Sequence, residues 1–232
     1  MLLLAFETSA KAGSVALHDG QKLLGEHYCN TALTHSQTLM VMAEQLLQQC
    51  GLTPQDVTAV AVAAGPGSFT GVRIGVAAAK GFAWGAELPC CGVSTLEAMA
   101  RSLGAWEGYV CPVMDARRQQ VYNALFRAEQ GKLTRITEDR AISLEELGAE
   151  LAALEQPVFL VGDGSEVARK ALPLPHLVMP PEHRMHQRAA GVALAALEQD
   201  LSACTGGELT PNYLRLSQAE REKLEKQEKR GD

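Results

Sequence analysis

The sequence has no basic excess: 21 Lys and Arg stand against 27 Asp and Glu, a formal net charge of −6. A chain that grips nucleic acid unaided normally carries a basic face, so any contact with RNA is expected to be shared with a partner. None of the six cysteines (Cys29, Cys50, Cys90, Cys91, Cys111 and Cys204) forms a CxxC pair, and several sit in apolar runs where a thiol packs as a small hydrophobe. All six are expected to be reduced, in a cytoplasmic protein. No run approaches the ~18 apolar residues of a spanning helix. The opening MLLLAFETS has no basic region ahead of its apolar stretch, which stops after Phe6, so it does not read as a signal peptide. What remains is ordinary globular usage, 47% hydrophobic and 21% charged over 232 residues. That length allows one large domain or two small ones.

Residues 1–7, 13–20 and 22–29 read as a three-strand meander, with Asp19-Gly20 in a turn. A helix is expected over 34–51, with Thr34 and Gln37 as a capping box and Gly51 as its stop. VTAVAVAAG (57–65) is a continuous apolar run, the pattern of a strand covered on both faces. A glycine-rich turn, a helix to about Ala86, a short strand at 88–94 and a helix at 94–104 complete an order βββαβαβα. This predicts an α/β fold, a mixed sheet with helices on its faces. The second half starts over, with strands at 109–117, 121–128 and 132–142, a helix at 143–155, a strand at 157–164 and helices at 165–172 and 186–201. Two related lobes are therefore expected, 1–106 and 107–216, with the last helix free to pack on the first lobe, and a charged tail at 217–232.

AGPGSFTGVRIGVAAAKG (64–81) resembles a phosphate loop but matches no nucleotide motif. Gly65, Gly67 and Gly71 are spaced GxGxxxG, and Val72-Arg73 stands where GxxxxGK[ST] needs Lys-Ser/Thr. Two readings stay open. The turn is either a tight strand-to-helix connection capped by Ser68 or Thr70, or an anion or weak ATP/ADP contact through Gly67, Ser68, Thr70 and Arg73. Arg73, at the positive end of a helix dipole, needs an anion. The candidates are Glu7, Asp115, a phosphate or a partner's acid. From Gly71 to Ala86 the only charges are Arg73 and Lys80, so this helix needs cover on nearly all sides. Gly71, Gly75 and Ala79 would let a second helix approach. Leu39, Met40, Leu47, Val72, Gly75, Val76 and Ala79 are the expected protein–protein face.

No HExxH and no GxSxG occurs. His35 beside a helix cap reads as structural, and His183 and His186 in a Pro-rich segment make a weak metal candidate. Asp115 ends a strand, as a catalytic acid or as a structural partner of Arg117 and Arg118. No catalytic residue, metal site or obligatory cofactor is expected.

GPGSFTGVRIG, with AFETSAKAGSVAL and MDARRQQVY around it, ELPCCGVSTLEAMA, and TPNYLR near the end, resembles the bacterial TsaB (YeaZ) family over almost the whole chain. The resemblance implies a two-lobed actin-like ATPase (RNase H-like) fold, with a mixed five-stranded sheet in the first lobe and a reduced copy in the second. It also implies a role in making threonylcarbamoyladenosine beside the tRNA anticodon. In that family TsaB does not perform the transfer. It pairs with its catalytic paralog TsaD and, with TsaE, supports moving threonylcarbamoyl from its adenylate to tRNA. TsaD-type sequences carry two metal-binding histidines where this chain has Thr95 and Met99, and hairpin acids where it has Lys11 and Ala12. VGDGSEVARK (161–170) corresponds loosely to TsaD's second glycine loop. The helices at 34–50 and 71–86 are implied to form a bundle shared with TsaD or with a second copy. An M22-type peptidase and a weak ATPase, with Glu7 and Asp115 holding Mg²⁺, are the alternatives.

Overall fold

The computed structural model describes residues 1–104 and 106–215, so the tail at 217–232 lies outside the described residues. Strands β1 (Leu3–Glu7), β2 (Gly13–His18) and β3 (Leu23–Cys29) form the antiparallel meander. Helix α1 (His35–Gln49), β4 (Ala59–Gly65), α2 (Phe69–Gly85), β5 (Cys90–Ser94) and α3 (Thr95–Leu103) follow. The sheet order is β3-β2-β1-β4-β5, with β4 parallel to both β1 and β5. Every residue of β1 and of β4 is buried, which explains the apolar runs of Leu3–Phe6 and of β4. At the start of α1, Thr34 donates from its N–H and its hydroxyl to Gln37 Oε1, at 3.2 and 3.0 Å. Gly51, at φ +69°, takes the left-handed position that ends the helix.

The second half contains β6 (Gly108–Asp115), β7 (Gln120–Asn123), β8 (Phe126–Glu129), β9 (Lys132–Arg135), β10 (Arg140–Ser143), α4 (Leu144–Ala152), β11 (Val158–Val161), α5 (Ser165–Ala171), β12 (Leu177–Val178) and α6 (Ala189–Ala196). Its path β10-β7-β6-β11-β12 repeats β3-β2-β1-β4-β5 strand for strand. The copy expected to be reduced keeps all five equivalents and adds the β8–β9 hairpin.

Two expected long strands, 121–128 and 132–142, are each divided in two. β6 pairs with β7 over Val113–Asp115 and with β8 over Gly108–Val110, so the chain changes position between them. Buried Asn123 holds that step, its Nδ2 donating to the carbonyls of Pro112 (3.1 Å) and Ala124 (3.0 Å). Nothing in the alternation of apolar residues marks such a step.

Helices α1 and α2 cover one face of the first sheet, burying Phe6, Val15, Leu39, Leu47, Val62 and Val72 together. The other face is covered by α6, with Val192 and Ala193 against Leu3, Ala5 and Ala61. Helix α3 then bridges to the second sheet through Leu96, Met99 and Leu103 against Val110, Phe126 and Val161. Helices α4 and α5 close the far side. The first lobe's core is thus completed by a helix from the end of the chain. Two side chains of the first lobe receive it: Ser14 Oγ accepts from the Ala189 N–H (2.8 Å) and Glu26 Oε1 from the Ala190 N–H (3.1 Å).

The expectation of six reduced cysteines fails at one pair. Cys91 in β5 and Cys204 after α6 form a disulfide, with Cα atoms 5.2 Å apart. They are 113 residues apart in sequence, and only the return of α6 brings them together. Cys29, Cys50, Cys90 and Cys111 are free.

Candidate functional site at the lobe junction

The loops that follow β1, β4, β6 and β11 converge on a cleft of about 610 Å³ between the two sheets. Open α/β sheets place sites at these carboxyl ends. The cleft is lined by Ser9, Lys11, Gly67, Ser68 and Thr70 of the first lobe, by Asp115, Arg117 and Asp163 of the second, and by Tyr213 and Arg215.

The glycine turn is here for steric reasons. A Cβ at Gly67 would lie 2.5 Å from the Ser9 carbonyl, and one at Gly71 or Gly75 would overlap Thr8. The close approach expected of a second helix is made instead by the loop after β1. Ser68 N–H donates to Ser9 O (2.6 Å), Thr8 Oγ1 donates to Gly71 O (2.8 Å), and Ser68 Oγ accepts from the Gly71 N–H (3.3 Å). Gly71→Ala is expected to cost about 1–3 kcal/mol, because a methyl there displaces backbone rather than a side chain. Urea unfolding at fixed pH measures it.

Of the four residues nominated for an anion, Gly67, Ser68 and Thr70 line the cleft and Arg73 does not. Arg73 is not paired with Glu7 or Asp115. Its guanidinium lies 4.0 Å from the centre of the Phe69 ring and donates through Nε to Tyr213 Oη (2.8 Å). Phe69 and Tyr213 stack at 4.5 Å. Within the chain, ring faces and a phenol oxygen rather than either carboxylate stand beside the guanidinium. Tyr213 is 140 residues from Arg73, and no local pattern announces it.

Glu7 and Asp115 end β1 and β6, equivalent strands of the two sheets. Glu7 is fully buried: Oε1 accepts the Ser9 N–H at 2.5 Å, and Oε2 has no hydrogen-bond partner among the described residues. Burial pushes its carboxyl from 4.5 up to about 7, with nearby Asp163 adding to the rise. Burial likewise raises Asp163, whose Oδ1 accepts from Gln187 Nε2 (3.0 Å). Asp115 is exposed, and its Oδ1 accepts the Arg117 N–H (2.7 Å). Arg117, Arg118 and Gln119 run through φ +63°, +55° and +57°, a strained left-handed turn at the cleft edge that the sequence does not signal.

Among the described residues no group of three His, Cys, Asp or Glu is placed to hold a metal ion. His35 Nε2 donates to Ala10 O (2.8 Å), while His186 Nε2 lies 3.8 Å from Glu182. Of the seven residues nominated for a partner face, Leu39, Leu47, Val72, Gly75, Val76 and Ala79 are buried in the chain's own core, and Met40 is 45% exposed. The apolar surface that α1, α2 and the segment before α1 leave open is Leu33, Met40, Val41 and Trp84, the last 87% exposed.

A family model described as TsaD, tRNA N6-adenosine threonylcarbamoyltransferase, matches residues 29–223. The chain is 32% identical to the tRNA threonylcarbamoyladenosine biosynthesis protein TsaB of Bacillus subtilis, over 98% of this chain and 100% of that one. The chain belongs to the TsaB family of tRNA threonylcarbamoyladenosine biosynthesis proteins. A crystal structure from Pseudomonas aeruginosa, described as an uncharacterized protein with similarity to peptidase YEAZ, superposes with a TM-score of 0.78 at 28% identity. It covers 92% of this chain and 99% of its own. Component A of the (R)-2-hydroxyglutaryl-CoA dehydratase of Acidaminococcus fermentans matches at TM-score 0.50 and 12% identity, over 85% of this chain and 98% of that one. At that identity it speaks for the fold alone, which in this TsaB-family chain is the two-lobed actin-like architecture. No helix among the described residues is long and apolar enough to cross a membrane.

Proposed function

We propose that this chain is a non-catalytic subunit of tRNA threonylcarbamoyladenosine synthesis. It pairs with TsaD through the α1–α2 face, or with a second copy when alone. With TsaE it supports transfer of threonylcarbamoyl from its adenylate to N6 of an adenosine beside the anticodon. The observation that carries the non-catalytic reading is in α3. Where TsaD-type sequences have two metal-binding histidines, this chain has Thr95 and Met99, 0% and 1% exposed. Met99 is packed with Leu96, Val110 and Phe126, so the position serves packing. A hydroxyl and a thioether do not replace two imidazoles on a metal.

The test is reconstitution with TsaD, TsaE, threonylcarbamoyl-adenylate and tRNA, with and without this chain. Product that requires the chain supports the reading, and equal product in its absence refutes it. The pairing face is probed at exposed positions, because a charge at buried Val76 would break the core. Met40→Glu with Trp84→Ala is expected to weaken the pair at least about tenfold and to leave the monomer's unfolding temperature nearly unchanged. Analytical ultracentrifugation and thermal melts report the two quantities.

A further inference from the structure

A second cavity, of about 540 Å³, opens on the side of the first sheet that carries α6, away from α1 and α2. Its lining includes His18, Lys22, Arg101, His183, Arg184 and Arg188, against the single carboxylate of Glu26. That carboxylate is fully engaged: Oε2 accepts from Arg188 Nε (2.9 Å) and Nη2 (2.6 Å), and Oε1 from the Ala190 N–H (3.1 Å). Arg101 is likewise committed, to Glu97 (2.9 Å) and Glu198 (3.1 Å). Of the remaining basic side chains, Lys22 and His18 lie near the carboxylate of Asp19, whose Oδ1 already accepts the Gln21 (2.9 Å) and Lys22 (2.8 Å) N–H groups, and Arg184 has no ion pair among the described residues. Among the described residues Arg184 makes one hydrogen bond, from Nη1 to the Ser102 carbonyl (3.1 Å), and Lys22 Nζ makes no hydrogen bond. His18 is 5% exposed, and its Nδ1 accepts the Gly20 N–H (3.0 Å). That bond leaves the ring hydrogen on Nε2, a donor with no partner among the described residues.

We propose that this cavity binds the phosphate group of a phosphorylated ligand. Unspent donors reach it from the β2–β3 turn (Lys22), from the end of β2 (His18) and from the segment before α6 (Arg184). Donors from three directions suit a tetrahedral oxyanion better than a planar carboxylate. The volume falls within the range of sites for small organic molecules, about 300–1,000 Å³, so the phosphate is carried on something larger: a nucleotide, or the backbone of an RNA. The lining itself carries Lys22, Arg101, Arg184 and Arg188 against Glu26, a basic spot on a chain of net charge −6 that draws anions to one place rather than over the surface. The inference does not rest on the role in tRNA modification, and the cavity stays open when α1 and α2 are covered.

The experiment is an orthophosphate titration of the full ¹⁵N-labelled chain, following the imidazole nitrogens of His18 and His183 by NMR, with acetate at equal ionic strength as the control. The expected result is a saturable shift of the His18 Nε2 signal with phosphate and not with acetate. Binding is expected to weaken about tenfold in Arg184→Gln, the loss of one charged hydrogen bond. Should that variant disturb its own segment, Lys22→Gln, at an exposed side chain, gives the same reading by itself. Displacement of phosphate by a short RNA hairpin but not by AMP identifies a phosphodiester backbone as the source, and displacement by AMP alone identifies a small phosphate ester. An unmoved His18 signal, an equal response to acetate, or wild-type affinity in both variants overturns the proposal. Activity in the reconstituted system is scored separately, so either idea can fail without the other.

Discussion

Glu7→Gln is expected to make the protein more stable at pH 8 and to leave its stability unchanged at pH 4. The Glu7 carboxyl has an ordinary value of 4.5 and a folded value of about 7, mainly because burial removes it from water. Below pH 4.5 folded and unfolded chains both hold the proton. Between 4.5 and 7 only the folded chain holds it, so stability falls as the pH rises. Above about 7 the folded chain must keep a buried charge whose Oε2 has no hydrogen-bond partner among the described residues, and the loss levels off. The full displacement corresponds to about 3 kcal/mol. Glutamine matches the protonated acid in shape and can still accept from the Ser9 N–H. Urea unfolding of both proteins from pH 4 to pH 8 should show curves that diverge through this window, the wild type falling and the variant flat. Parallel curves would mean that Glu7 does not bury its charge.

The second large effect concerns the tie between β5 and the segment after α6. Cys204→Ser is expected to lower the unfolding free energy of the oxidised protein by about 3–5 kcal/mol, since the Cys91–Cys204 bridge closes a loop of 113 residues in the unfolded chain. The same substitution in dithiothreitol should cost much less, because the reduced wild type has already lost the constraint. Chemical denaturation under both conditions isolates the bridge from the packing of Cys204. Equal losses under both conditions would show that the two thiols are not joined in solution.

The first lobe was legible because its signals are local. The Thr34–Gln37 cap, the Asp19-Gly20 turn and the unbroken apolar run of β4 each lie within a few residues, and each has one conformational solution. The second lobe was less so. The break at Asn123 is set by the pairing that β6 offers, and it leaves no mark on the spacing of apolar residues. At the cleft, sequence placed Gly67, Ser68 and Thr70 at the turn, but the two carboxylates it offered Arg73, Glu7 and Asp115, are not the groups beside it. Tyr213 and Asp163 lie inside quoted motifs but were given no role of their own, and Gln187 was not singled out, because their roles come from contacts across 24 to 140 residues. The partner face shows the same limit. Helical spacing separates the faces of α1 and α2 but does not say which one the sheet takes, and the sheet takes most of the residues nominated.

Because α6 finishes the first core, the order of synthesis and the order of packing disagree. When α3 has left the ribosome, Leu3, Ala5 and Ala61 still lack their cover, and 85 residues (Gly104 to Arg188) separate Leu103 from Ala189. At roughly 5–20 residues per second this leaves an apolar sheet face open for about 4–17 s. During translation the N-terminal half is therefore a natural client for a chaperone that holds nascent chains, and a nascent chain stalled before residue 189 should remain protease-sensitive in the strands that are most protected once the chain is complete.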